Sequence, residues 1–291
     1  MGKNQKIIIL SLLAITIASV GLSKFYLQVV GELLPETKES TEGLVKSSLI
    51  KESETTTNLE NSTKETIRKV SETTESVTTE TINKEKRRAV ALTFDDGPHG
   101  EYTPQILNIL EEQQVSATFF LLGQNVPKHP NIVKEIQKRN HEIGSHTHNH
   151  QELTKASRKE LEKDIKESDE AIEKVTGEKP KYVRPPYGAT NKAVAEVVNR
   201  PLIEWSVDTQ DWVSKDKHNI IKQVKQGVYP GSIILMHDIH PATIDALPEI
   251  ITFLKGQNYE IVTISNLLNS PTKPHNYYGI GDNRPVEQKF Q

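Results

Sequence analysis

The chain has 291 residues, 35% of them hydrophobic, and a formal net charge of −3. It contains no Cys, which excludes disulfides, a thiolate nucleophile, Cys-ligated zinc and a lipid-modified N-terminal Cys. No basic patch of the size that binds nucleic acid is present, so no nucleic-acid partner is expected. The composition is also split along the chain. All 10 His and both Trp follow residue 98, the first Asp is Asp95, and only Phe25 and Tyr26 among the aromatics precede Phe94. The first third lacks the residue types that build cores and sites, leaving one globular part of about 200 residues.

Lys3 and Lys6 precede the apolar run Ile7–Leu22, the pattern of an export signal. As a helix this run is about 24 Å long at about 1.5 Å per residue, short of a bilayer core of roughly 30 Å. Extension through Phe25–Val30, with Lys24 snorkelling, makes it long enough to span. Residues 1–30 are therefore predicted to be an uncleaved signal anchor. A cleaved peptide ending near Ser19-Val20-Gly21 is the alternative. The positive flank places the N-terminus in the cytoplasm and the remainder outside. Residues 31–86, rich in Ser, Thr, Glu and Lys, cannot bury enough apolar area to offset their ordering entropy and are predicted to form a flexible stalk. A short coiled coil through Leu44, Val45, Leu49 and Ile50 is the alternative.

From residue 87 to about 270, short apolar runs alternate with amphipathic segments. Strands are predicted at Ala89–Phe94, Ala117–Leu122, Glu142–Ser145, Tyr182–Arg184, Leu202–Val207, Ser232–His237 and Glu260–Ile264. Helices are predicted at Thr103–Gln114, Asn131–Arg139, Ser157–Val175, Asn191–Asn199, Asn219–Gln226 and Pro241–Leu254. Ser157 and Glu160 have the spacing of a capping box. The alternation predicts an α/β fold, a distorted (β/α) barrel of about seven parallel strands, with chemistry at the C-terminal ends of the strands. Residues 271–291, rich in Pro, Gly and Asn, are expected to be an irregular tail.

The polar clusters fall at those strand ends. The first strand runs into Asp95-Asp96-Gly97-Pro98, two adjacent carboxylates that point in different directions, so one can bind a metal and the other accept a proton. The third ends in His146-Thr147-His148-Asn149-His150. The i, i+4 spacing puts His146 and His150 on one side of a helical turn, with His148 facing away. Two imidazoles and a carboxylate with open positions form a hydrolytic or an oxygenase metal geometry. Arg184-Pro185-Pro186-Tyr187-Gly188 fixes a guanidinium that can orient a carboxylate, unless it is an ordinary turn with a surface Arg. Asp211 can hold Arg184 or a His, and Trp212 can wall a sugar groove or fill the core. Leu235-Met236-His237 sets a His at a strand tip, suited to acid or base work.

These motifs in this order resemble the polysaccharide deacetylase family, the NodB-homology domain of carbohydrate esterase family four, over roughly Arg88 to Leu268. Within it, the chain looks most like the peptidoglycan N-acetylglucosamine deacetylases. The resemblance implies that Asp96, His146 and His150 bind a divalent metal, usually zinc. It implies that Asp95 is the general base oriented by Arg184, and that His237 is the general acid tuned by Asp211. The Tyr187 backbone N–H would serve the oxyanion, and Trp212 and Leu235 would line the acetyl pocket. Family members often carry Gly before the His141-Glu142-Ile143-Gly144 run. Asn140 stands there and tolerates the same left-handed conformation. The expected activity is removal of acetyl groups from N-acetylglucosamine in peptidoglycan, with lysozyme resistance as the expected outcome. Chitooligosaccharide, poly-N-acetylglucosamine and acetylxylan are alternative substrates, and a non-catalytic wall-binding module is the alternative class.

Overall fold

The computed structural model describes residues 88–286. The anchor predicted over 1–30 and the stalk predicted over 31–86 lie outside the described residues. Among the described residues, no helix is long and apolar enough to cross a membrane.

All seven residues of β1 (Ala89–Asp95) are buried. Its near-continuous apolar run is that of a parallel strand covered on both faces. Around it are β2 (Thr118–Leu121), β3 (Glu142–Ser145), β5 (Val207–Asp208), β6 (Ile233–His237) and β7 (Glu260–Ile261). They form a parallel sheet in the order β3-β2-β1-β6-β5, with β7 also pairing β1. A second sheet runs β4 (Leu202–Ile203), β8 (His275–Gly279), β9 (Asp282–Pro285). Single bridges from Ser145 to Val183 and from Val183 to Leu202 link the two sheets, and Ser232 bridges Gly279.

The period of two along β1 sorts its side chains. Val90, Leu92 and Phe94 face outward into the main core. There they meet α1 (Tyr102–Glu112) at Ile106, Leu107 and Leu110, α2 (Pro130–Lys138) at Val133 and Ile136, α6 (Lys217–Gly227) at Ile220 and Val224, and α7 (Pro241–Gly256) at Leu247, Ile250 and Leu254. Each such side chain contributes about 1.5–3 kcal/mol by leaving water. Met236, buried on β6, joins the same cluster. Ala89 and Ala91 face the other way with Phe120, Tyr182, Ile203 and Ile233. Thr93 and Asp95 continue that inner face, so it changes from apolar to polar toward the C-terminal end of the sheet.

Helix ends follow local chemistry. Ser157 and Glu160 form the expected capping box on α3 (Arg158–Thr176), and Gly177 closes it in a left-handed conformation. Asn191 caps α4 (Lys192–Val198) and Asp216 caps α6. The short helices α5 (Asp211–Ser214) and α8 (Ile264–Leu268) complete the set.

Four expectations are corrected. Strand Tyr182–Arg184 reduces to the Val183 bridges, because the Arg184 side chain and carbonyl are drawn into the site. Leu202–Val207 splits in two: Ile203 pairs with Tyr277 and Val207 with Ile234. The strand at Glu260–Ile264 stops after Ile261, since Thr263 caps α8. The described part of the tail, residues 271–286, is not irregular, because β8 and β9 form an antiparallel hairpin that extends β4. The parallel strands are thus divided between two bridged sheets, the second of which carries one antiparallel strand.

Candidate active site

The β1–β6 register sets Asp95 opposite His237 and Thr93 opposite Leu235. On the other side, β2–β3 pairing sets Leu121 opposite Ser145, and the His146 N–H continues the ladder to the Leu121 carbonyl at 2.8 Å. The ends of β1, β3 and β6 therefore deliver the two carboxylates, the His loop and His237 to one place.

Asp96 has φ 74°, which turns its carboxylate toward the His loop. Its Oδ1 lies 3.6 Å from His146 Nε2 and 3.4 Å from His150 Nε2. The His loop is not the helical turn expected from its spacing. Thr147 and His150 adopt left-handed φ values of 69° and 58°, and this bend brings the two rings edge to face at 4.9 Å. His148 stays out of the cluster, its ring against Gly123.

Asp96, His146 and His150 fit a divalent cation. One ligand atom from each lies within 4.8 Å of the others. The Asp96 Oδ1 is buried and accepts no hydrogen bond, a costly state unless a cation faces it. The His146 Nδ1–H donates to the Arg184 carbonyl at 2.7 Å, which leaves the Nε2 lone pair free. Burial outweighs the pull of Asp96 and pushes His146 down to about 3, so the ring is neutral and able to ligate. The set is hard-to-borderline nitrogen and oxygen, as zinc and its neighbours accept.

Arg184 is fully buried, not a surface residue. Its Nη1 donates to Asp95 Oδ1 at 2.8 Å and to Thr93 Oγ1 at 2.7 Å, its Nε to the Ile203 carbonyl at 3.0 Å, and its Nη2 to the Glu204 carbonyl at 3.1 Å. The guanidinium lies 4.2 Å above the Phe120 ring centroid. Gly144 makes room for that ring: a Cβ there would stand 2.4 Å from Phe120 Cδ1. Burial raises the Asp95 pKa, and Arg184 with His237 opposes it. The other Asp95 oxygen faces His146 Nε2 at 3.8 Å.

Asp211 holds His237, not Arg184. Its Oδ1 accepts from His237 Nδ1 at 2.8 Å and Trp212 N at 2.9 Å, and its Oδ2 accepts from His237 N and Thr243 Oγ1, both at 2.7 Å. Burial alone would depress His237, but the hydrogen bond and charge of Asp211 outweigh it and raise His237 to about 9. Burial alone would raise Asp211; the His237 hydrogen bond and charge leave it lowered instead. His237 is thus protonated at neutral pH, with Nε2–H free of Asp211.

The rim carries exposed Tyr187 and Trp212. Tyr187, at φ 62°, sits in the turn Pro186–Gly188, its ring centroid 4.9 Å from that of His150 in an edge-to-face contact. Trp212 is a surface residue of α5, not a core one. Leu235 is buried two residues before His237, on the same face of β6. Asn140 is left-handed at φ 60°, as its sequence position implied.

Sequence reasoning missed several supports. Asp238, fully buried, accepts from Thr103 Oγ1 and fills the space a Cβ on Gly97 would need; burial pushes it up to about 7. Glu204, also buried, is likewise pushed up to about 7. Asp164 on α3 binds the His loop. Asp238, beside His237 in the sequence, carried a local signal; Glu204 and Asp164 carried none.

The chain is similar in sequence and fold to known proteins. The sequence pattern of the polysaccharide deacetylase family matches residues 82–201. A peptidoglycan-N-acetylglucosamine deacetylase of Bacillus cereus is 40% identical over 62% of this chain and 68% of its own length. The peptidoglycan-N-acetylglucosamine deacetylase PgdA of Listeria monocytogenes is 42% identical over 69% of this chain. This chain spans 43% of the length of that Listeria protein. The solved structure of a T48 deacetylase with substrate superposes with a TM-score of 0.64 at 39% identity, over 71% of this chain and 98% of that one. The chain belongs to the polysaccharide deacetylase family.

Proposed function

We propose that this protein hydrolyses the N-acetyl groups of N-acetylglucosamine residues in peptidoglycan, releasing acetate, with zinc held by Asp96, His146 and His150. The observation that carries the reading is the placing of Asp95 and His237 on adjacent strand ends beside that ligand cluster. The relatives named for this activity support the substrate class.

When bound, the cation polarises the amide carbonyl and makes water acidic enough to attack near neutral pH. Asp95 takes the proton of the attacking water through the oxygen that Arg184 leaves free. Arg184 keeps the carboxylate oriented. The backbone N–H of Tyr187 donates to the oxyanion of the tetrahedral intermediate. His237 gives its Nε2 proton to the departing amine, and Asp211 stabilises the imidazolium until then. Trp212 stacks on the sugar, and Leu235 receives the acetyl methyl.

The test is acetate release from purified peptidoglycan by the full chain, followed by mass spectrometry of the muropeptides. The expected product lacks an acetyl on glucosamine. Loss from the muramic acid instead would reassign the sugar, and no acetate release with zinc present would sink the reading. In the same proposal residues 1–30 anchor the enzyme with its catalytic domain outside the cell, supported by the two lysines before the apolar run. Recovery of the protein in the soluble cytoplasmic fraction would refute that part.

A further inference from the structure

We propose that Asp164, a residue outside the ligand set, is a positioning residue that holds the His146–His150 loop in its metal-binding shape. The inference rests on the reading of His146 and His150 as ligands. The loop bends through two left-handed residues, Thr147 at φ 69° and His150 at φ 58°. Neither is Gly, and Thr is β-branched, so the bend is strained and persists only where neighbours over-determine it. A relaxed loop would let the two imidazoles diverge.

The neighbour that supplies this is α3. Asp164 is 2% exposed and accepts three hydrogen bonds from the loop. Its Oδ1 takes the His148 N–H at 2.6 Å, and its Oδ2 takes the Asn149 N–H and the Asn149 side-chain amide, both at 3.2 Å. One turn further along, Ser168 Oγ meets Ser145 Oγ at 2.8 Å, and Ser145 Oγ accepts the Thr147 N–H at 3.2 Å. On the opposite side of the loop, Gly123 N–H and Gln124 N–H hold the Thr147 and His148 carbonyls. The amide edge of the loop is therefore gripped by one helix, and its carbonyl edge by the segment after β2.

The helix suits the task. It is 19 residues long, capped at both ends, and buries Leu161 and Ile165 in a cluster with Val194 and Val198. A carboxylate suits it as well. Three donors converge on two oxygens, and an Asn in that place would turn its own NH2 toward one of them. A buried charge in mid-helix is otherwise unfavourable, and these charge-assisted bonds offset it.

The test is zinc affinity by chelator competition on the full chain, comparing the parent with Asp164→Asn, Asn149→Ala and Val198→Ala. Asp164→Asn is expected to bind about 10–100-fold more weakly, the range for lost support behind a metal ligand. Asn149→Ala removes one of the three bonds at an exposed residue and is expected to show a smaller loss. Val198→Ala, a core truncation in the cluster that packs α3, lowers the melting temperature but keeps parent affinity. Parent-like affinity in Asp164→Asn overturns the proposal, as does an equal loss in Val198→Ala. If Asp164→Asn fails to fold, unchanged affinity in Asn149→Ala overturns it. A parent that binds no zinc instead refutes the ligand reading itself, a different result.

Discussion

Asp95 and His237 are register partners on β1 and β6, yet each is committed to a different buried support. Arg184 binds one oxygen of Asp95, and Asp211 binds Nδ1 of His237. The carboxylate and the imidazolium are thereby kept from forming a simple ion pair, and the second Asp95 oxygen faces the ligand cluster at His146 Nε2.

Replacing Asp95 by Asn retains an oxygen for Arg184 and removes the proton acceptor. The kcat of acetate release is expected to fall about 10²–10⁴-fold, the usual share of a general base. Zinc affinity and melting temperature should stay near those of the parent. A rate within threefold of the parent would show that the base lies elsewhere.

The raised His237 pKa sets a pH limit. The protonated acid is present below about 9 and lost above it, so activity should decline on that basic limb. In Asp211→Asn the charge that opposes burial is gone and only a neutral amide oxygen remains to accept from Nδ1, so the limb should shift to lower pH. Stability follows the same linkage. The His237 contribution is complete below its unfolded value of 6.5 and disappears as pH rises through about 9. The Asp211 contribution is present above 3.8 and disappears as pH falls below it. Chemical denaturation at pH 6 and pH 10 would reveal the difference, which Asp211→Asn should abolish.

Arg184→Lys tests geometry against charge. A single ammonium cannot serve Asp95, Thr93 and the carbonyls of Ile203 and Glu204 together. Buried acceptors left unpaired cost about 1–3 kcal/mol each. Both stability and kcat should drop. A variant as stable and active as the parent would show that only the positive charge matters.

Gly144→Ala would place a methyl 2.4 Å from Phe120 Cδ1. The ring must leave its place under Arg184, and overpacking of this kind costs about 1–3 kcal/mol. The pairing of a lower denaturation midpoint with a lower kcat is the expected signature. A loss of stability alone would mean that Arg184 does not depend on that ring.

Removing the cation with a chelator should abolish acetate release, and zinc should restore it. Because ligand binding stabilises only the folded form, zinc at about 100 times its Kd should add about 2.7 kcal/mol to unfolding, read as a higher melting temperature. No thermal shift on adding zinc would argue against occupancy of this cluster.

The sequence revealed most of the site because its chemistry sits where period-two apolar runs end, and such runs are easily read. The approach of His146 to His150 was anticipated, but by a helical turn rather than two left-handed residues. Spacing cannot distinguish these, since φ at Thr147 is imposed by bonds from α3 and β3. Asp164 was invisible for the same reason: on its own helix it is one carboxylate among many, and only the tertiary fold shows what it binds. The split at Glu204–Ser206 and the β8–β9 hairpin were missed because two-residue strands and a hairpin rich in Asn and Gly give no apolar period.

Met236 lies fully buried on β6, directly before His237, and is the one methionine among the described residues. With no Cys in the chain, the described part exposes no sulfur at all. An oxidant that would strip a thiolate-bound metal centre or roughen a methionine-lined cleft finds no exposed sulfur among the described residues. A site built from imidazole and carboxylate alone thus offers no ligand sulfur for peroxide to oxidise.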